Sequence, residues 1–495
     1  MIPRLSRRGG FVTALTLVSV ALLAYLSAPK GYGFDASSWE MPWQQTQSGL
    51  EDITLSIWRE QPATQKSCDR CSTAGDFCNQ VGSRSLDLAA AYEGSGDRIR
   101  RVLAKAARGE PIVFGILGGS VSRGHGCNNC VPFHRQIFDW INTTYPHAGH
   151  RYTDGSVGAR GTNYFKFCHV EHLPSDADLV VLEHAVNDNA AEDSARNMES
   201  IVRAVLQYKN APAVLLVESF HLLVNVTQGG DSHLPVAEYY DVPVINLRSA
   251  LLPIMMRRPK AVDEFFSIGA GPRRDQVHPN ARGHAILAQF ATSYLARQKC
   301  LIENPHRVVR PTEPMFIDGL GDETDETGLG MLDVPRLTLM SPWSPHGTVP
   351  DEHPTCASID SERNPITPLN TTHGWELWSQ PGTEKQFWRA TQPGARFEHK
   401  VNLATGHIML YYLRSKKMDL GRVKCWLNDD EAGAVTIDSW WHVATSIGVF
   451  TSLRDPSKGT LEPGEYTLKC DTLAKHPGKE EGRGTTFLII AVLTV

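Results

Sequence analysis

Four short apolar runs, alternating with segments of helical spacing, constrain this chain more than any other feature. They span residues 111–117, 178–183, 213–217 and 242–246. A run that is apolar at nearly every position has no face to turn to water, so it suits a strand covered on both sides. The segments between them set apolar residues three or four apart. Ile99, Val102, Leu103 and Ala106 do so in 97–107, and Met198, Ile201, Val202, Val205 and Leu206 in 191–208. Residues 131–140 and 280–297 read as further helices. Strand and helix alternating over about 200 residues imply an α/β fold in which a mainly parallel sheet lies between helical layers.

The texture changes after Cys300. Residues 301–345 are rich in Pro, Asp and Gly, keep neither period, and read as a linker. Beyond them, 396–401, 407–412, 423–427 and 485–492 are strand-like and are punctuated by Pro-Gly and Asn-Asp-Asp turns. This spacing predicts an all-β sandwich of the jelly-roll kind over 346–495. Six of the eleven tryptophans (Trp375, Trp378, Trp388, Trp426, Trp440, Trp441) fall there, as core residues or, alternatively, as a platform for sugar rings. The 49 basic and 54 acidic residues form no long single-sign run, which argues against nucleic acid as a partner.

The N-terminus sets the compartment. Arg4, Arg7 and Arg8 in a cytosolic tail (1–10) precede an uncharged Leu-, Val- and Ala-rich run over 11–29. Positive flanking charge keeps that end in the cytosol, and the run is long enough for a signal anchor. A stem over 31–80 and a hydrolase-like domain over 81–300 then follow. The expected topology is a single-pass type II membrane protein of the Golgi or cell surface, with the secreted form as the alternative. Ten cysteines suit an oxidising compartment, so Cys127 with Cys130 reads as a brace for the neighbouring loop rather than a zinc site, and Cys425 with Cys470 as a bridge between strands. Asn142, Asn225 and Asn370 head glycosylation sequons.

The chemistry sits at strand ends. Ser120 follows the first apolar run in Gly118-Gly119-Ser120, at the carboxyl end of a parallel strand, where open α/β sheets bind ligands. A hydroxyl needs a base to become a nucleophile, and the base needs an orienting acid. Asp275-Gln276-Val277-His278 supplies both, just before the last helix. Acyl transfer also needs donors for the oxyanion. Asn187, after the second run, presents a side-chain amide, and Gly161 a backbone one, with Gly155 and Gly158 as competitors. Helix capping by Ser120 is the plainer reading of that serine. His169, Glu171 and His172 lack the spacing of a helical zinc site, and neither a metal nor a cofactor is expected.

In this order the four blocks resemble those of the SGNH/GDSL hydrolase superfamily, across about two fifths of the chain. Gly119 and Ala185 depart from the usual residues. The resemblance implies Ser120 as nucleophile, Asp275 and His278 as the rest of the triad, and Gly161, Asn187 and the Ser120 amide as oxyanion donors. It further implies a serine esterase that removes acyl groups, foremost acetyl, from a glycan or cell-surface polysaccharide in the secretory pathway. A Golgi polysaccharide O-acetyltransferase using the same residues is the alternative. The absence of an acyl-CoA signature favours the hydrolase.

Overall fold

The computed structural model describes residues 67–223, 225–269, 275–304, 334–349, 354–404, 406–442, 446–454, 459–475 and 483–495. The expected cytosolic tail, the anchor over 11–29 and most of the stem lie outside the described residues. Among the described residues, no helix is long and apolar enough to cross a membrane.

The central sheet is built from β1 (Ala90–Tyr92), β2 (Val113–Gly118), β3 (Arg151–Asp154), β4 (Leu179–Glu183), β5 (Ala213–Glu218) and β6 (Val244–Asn246). Its spatial order is β1-β6-β5-β4-β2-β3. All neighbours are parallel except β1, which closes one edge antiparallel to β6. Every residue of β2, β4, β5 and β6 is buried. Alternate side chains enter opposite layers, as the two-residue period of a strand requires. Phe114, Ile116, Val181, Leu215 and Val217 pack with helices Asp97–Ala107, Phe133–Thr144 and Ala281–Glu303. Leu117, Val180, Leu182, Val214 and Leu216 pack with helices Thr162–His172, Glu192–Leu206 and Gly229–Tyr239.

From β2 the chain steps outward to β3 and then returns to the far side for β4. That reversal opens a crevice beyond the carboxyl end of β2, the place where doubly wound sheets bind ligands. β3 escapes sequence reading because it is a polar edge strand, Arg-Tyr-Thr-Asp, with exposed ends. The Thr162–His172 helix escapes it for the opposite reason. It is buried on almost every side and so carries no amphipathic period.

The named strands of the second half pair antiparallel throughout, from β7 (Thr355–Ser358), β8 (Trp375–Ser379), β9 (Gln386–Ala390), β10 (Arg396–Leu403) and β11 (Ile408–Arg414) to β12 (Arg422–Leu427), β13 (Val435–Asp438), β14 (Ile447–Ser452), β15 (Gly464–Thr472) and β16 (Phe487–Thr494). One sheet runs β10-β15-β12-β13 and the other β14-β11-β16-β9-β8, with β7 also on β16. They enclose a core of Phe397, Leu410, Val423, Leu468 and Ile489. Trp426 and Trp440 are buried and the other four C-terminal tryptophans are partly buried, Trp375 and Trp388 against Phe397.

The sandwich is continuous with the α/β part. Phe387, Tyr411, Leu413, Leu488 and Ile490 share a core with the Thr162–His172 helix, and the Cys168–Cys356 disulfide crosses the junction. Arg160, only 2% exposed at its side chain, pairs there with Asp360 at 2.7 Å. All ten cysteines are paired, including Cys127 with Cys130, and Cys425 with Cys470 on directly opposed positions of β12 and β15.

Two expectations need correction. Residues 67–80, read as the end of a stem, form helices Arg70–Ala74 and Asp76–Val81. They are held by the Cys68–Cys300 disulfide and by Phe77, whose ring meets Phe290 edge-on at 4.9 Å. Residues 334–345, read as linker, lie on the α/β part. Val334, Leu339 and Met340, partly buried, pack against its core, and Tyr239 Oη donates to the Leu337 carbonyl at 3.0 Å. Both segments are short and lack a period, so only their long-range partners fix them.

Candidate active site

After Gly118 the chain tightens into turns. Arg123 N donates to the Gly119 carbonyl at 2.9 Å and His125 N to the Ser120 carbonyl at 3.0 Å. Gly124 and Gly126 take φ of 83° and 81°, which glycine adopts without steric cost. The next helix begins only at Phe133 with Pro132 at its N-cap, so Ser120 caps nothing. The Cys127–Cys130 disulfide closes the loop immediately beyond. Gly119 has to be small: a Cβ there would sit 1.9 Å from Asn187 Oδ1.

Ser120 Oγ lies 2.8 Å from His278 Nε2, and His278 Nδ1 lies 2.6 Å from Asp275 Oδ2. The second carboxylate oxygen, Asp275 Oδ1, accepts from the amides of Val277 at 2.9 Å and His278 at 3.1 Å. Burial alone would raise the Asp275 pKa, but the hydrogen bonds from His278 and Val277 outweigh it and hold the pKa below the usual value. An ionised Asp275 fixes the proton on Nδ1 and leaves Nε2 as the acceptor for the serine proton. The pair is anchored from both sides. Ser267 N donates to the His278 carbonyl at 2.9 Å, and Asn280 caps the Ala281–Glu303 helix.

Asn187 follows β4 and Gly161 follows β3, yet the fold brings them together. A Cβ on Gly161 would lie 3.5 Å from Asn187 Cβ, and one on Gly119 2.6 Å from Asn187 Cγ. Asn187 is thus set between the residue before Ser120 and the N-terminus of the Thr162–His172 helix. Of the three candidate glycines only Gly161 is so placed. Gly155 continues the β2–β3 ladder by donating to the Ile116 carbonyl at 3.1 Å, and the nearest neighbour of Gly158 is His125. Among the described residues nothing accepts a hydrogen bond from the Ser120 amide, the Gly161 amide or Asn187 Nδ2. Three unengaged donors beside a serine–imidazole pair are what a carbonyl oxygen gaining negative charge needs.

Sequence reading missed several groups around this centre. The His125 ring lies 5.3 Å from that of His278, and its pKa is lowered by burial, then by the neighbouring His278 and Lys385. Glu183, fully buried at the end of β4, accepts from Ser122 Oγ at 2.9 Å and from Ser219 Oγ. Burial pushes its carboxyl up to about 7. Beneath Asn187, Asp188, His233 and Glu218 form a buried ionic chain. The one available signal was a polar residue closing an apolar run, as Glu183 and Glu218 do. His169, Glu171 and His172 do not converge: they bond separately to Tyr208, Ser361 and Tyr164.

A cleft of about 430 Å³ adjoins this centre through His125. It runs between the loop after β2, the segment after β3 and the β8–β9 turn of the sandwich. Its walls are polar, with Arg123, Arg160, Asp360, Glu384 and Lys385 among them. Arg123 and Glu384 approach to 3.2 Å across its mouth.

No protein-family model matches the chain, and no curated protein matches it. Among solved structures it is similar to a two-domain esterase (CEX) active on acetylated mannans, at 19% identity, over 83% of this chain and 98% of that one, with a TM-score of 0.56. The same two-domain esterase co-crystallised with mannopentaose aligns at 20% identity, over 83% of this chain and 97% of that one, again with a TM-score of 0.56. The fold of this chain, an α/β sheet domain joined to an antiparallel β-sandwich, is therefore the fold of that two-domain esterase.

Proposed function

We propose that the protein is a serine ester hydrolase of the SGNH type that removes acetyl groups from a polysaccharide. The observation that carries this reading is the Ser120–His278–Asp275 chain at 2.8 and 2.6 Å beside three unengaged donors. Ser120 Oγ attacks the ester carbonyl while His278 Nε2 takes its proton, and Asp275 stabilises the imidazolium. The amides of Ser120, Gly161 and Asn187 donate to the oxyanion. His278 returns the proton to the departing sugar hydroxyl. Water, deprotonated by the same nitrogen, then releases acetate from acyl-Ser120.

The glycan substrate is supported by the shared fold with an esterase of acetylated mannans and by the polar cleft beside His125. Placement in the secretory pathway is supported by five disulfides and by exposed asparagines at all three sequons, Asn142, Asn225 and Asn370, while the N-terminal anchor rests on the uncharged run over 11–29 alone.

The test is acetate release from acetylated polysaccharide by the purified protein and by Ser120→Ala, with isotopically labelled acetyl donor and a free oligosaccharide present. Hydrolysis predicts label in free acetate and a loss of about 10⁴-fold in the variant. Label collecting on the oligosaccharide would make the protein a transferase instead. A Ser120→Ala variant keeping more than about a tenth of the rate would remove Ser120 as nucleophile.

A further inference from the structure

The oxyanion donors proposed above come from two distant stretches, Gly161 after β3 and Asn187 after β4. Something has to hold these stretches in register, because donors misplaced by about 1 Å lose much of their effect on a transition state. Gly161 is the N-cap of the Thr162–His172 helix and has no side chain with which to cap it. Asp188 supplies the missing acceptor from the other stretch. Its Oδ1 accepts the Thr162 amide at 3.0 Å, and its Oδ2 accepts the Thr162 hydroxyl at 2.5 Å. A carboxylate at a helix N-terminus is also favoured by the helix dipole. The fit is close: a Cβ on Gly161 would lie 2.4 Å from Asp188 Oδ1.

Asp188 is itself held. His233 Nε2 lies 3.0 Å from Asp188 Oδ2, and His233 Nδ1 lies 2.9 Å from Glu218 Oε1. The three side chains are 5%, 0% and 1% exposed, so these contacts are shielded from bulk solvent. Burial works against a charge on His233, yet Glu218 and Asp188 raise its pKa to about 10, and both ring nitrogens donate. Gly229 packs against the Asp188 side chain, where a Cβ would come within 2.7 Å of Asp188 Cβ.

We propose that Asp188, braced by His233 and Glu218, is a positioning residue that sets the Gly161 amide beside Asn187, so that a buried ionic chain outside the triad assembles the oxyanion hole. The inference rests on the esterase reading. Asp188→Asn keeps the shape and removes the charge. In the full-length protein it should lower kcat for a short aryl ester about 10- to 100-fold and leave KM within about twofold, because the bond matters where the oxyanion forms. In an Asn187→Ala background the same change should cost less than about threefold, since the hole is already broken. Thr162→Val, which deletes only the hydroxyl, should cost about 3- to 10-fold and serves if Asp188→Asn does not fold. Unchanged kcat in both variants, or the same fold-loss with and without Asn187, would overturn the proposal and leave Asp188 a helix cap. Labelling of Ser120 by a fluorophosphonate separates the two failures: a wild-type protein that neither takes the label nor turns over ester overturns the esterase reading, and this proposal with it.

Discussion

Replacing Glu183 by glutamine tests the electrostatics under the Ser120 turn. Glu183 is buried beneath that turn, and its carbonyl accepts the Gly119 amide at 3.4 Å. A glutamine fits the same space. Its oxygen accepts from one of the two serines and its NH₂ donates to the other, since a hydroxyl serves in either role. Only the ability to ionise is lost. Burial raises the carboxyl from 4.5 to about 7, so the folded state prefers the protonated form. The stability this group contributes is then fully present below pH 4.5 and is lost as pH rises through 7. At about 1.4 kcal/mol per pH unit, the wild type should lose about 3 kcal/mol relative to Glu183→Gln between pH 4.5 and pH 8. Urea unfolding of both proteins at the two pH values measures the difference of differences, in which the other titrating groups cancel. A wild-type-minus-variant gap that stays constant within about 0.5 kcal/mol would refute the reasoning, because a carboxyl with an ordinary pKa has no such dependence.

Three further outcomes follow from the geometry. Asn187→Ala should lower kcat about 10²- to 10³-fold with a smaller change in KM, and an unaltered kcat on a short aryl ester would reduce Asn187 to a turn residue. Gly119→Ala forces a methyl to within 1.9 Å of Asn187 Oδ1, so esterase activity should fall by about 100-fold through displacement of that amide; full activity would mean that Asn187 has room to move. Asp360→Ala leaves the buried Arg160 guanidinium without its carboxylate and should cost about 3–5 kcal/mol in chemical denaturation, whereas a loss under about 1 kcal/mol would show that the pair adds nothing to docking of the sandwich.

Some of this site was legible as letters. Ser120 stands out because a serine ends an apolar run flanked by glycines, and strand ends are where parallel sheets expose side chains. Asp275 and His278 stand out because an acid three residues ahead of a histidine meets its ring within one turn, as it does here at 2.6 Å. Each is a local pattern, complete within a few residues. Gly161 was legible only as one of three nearby glycines. Asp188 and His233 were not legible, since a lone aspartate after a strand and a histidine in a helix each have commoner roles, and Glu218 carried only the signal of a polar residue closing an apolar run.

What the sequence determined by itself was the architecture that periodicity encodes: continuous apolar runs had to become buried parallel strands, amphipathic segments had to cover them, and the alternating texture after residue 346 had to form antiparallel sheets. What only the tertiary structure decided was convergence. Ser120 and His278 stand 158 residues apart and meet at 2.8 Å because the sheet order returns the last helix to the end of β2. The polar edge strand β3, the all-round buried Thr162–His172 helix, the docked residues 67–80 and the Arg160–Asp360 pair are likewise set by partners far along the chain. A period records how one element meets its surroundings, whereas the choice of distant partner depends on how all the elements pack at once, and no stretch of sequence carries that alone.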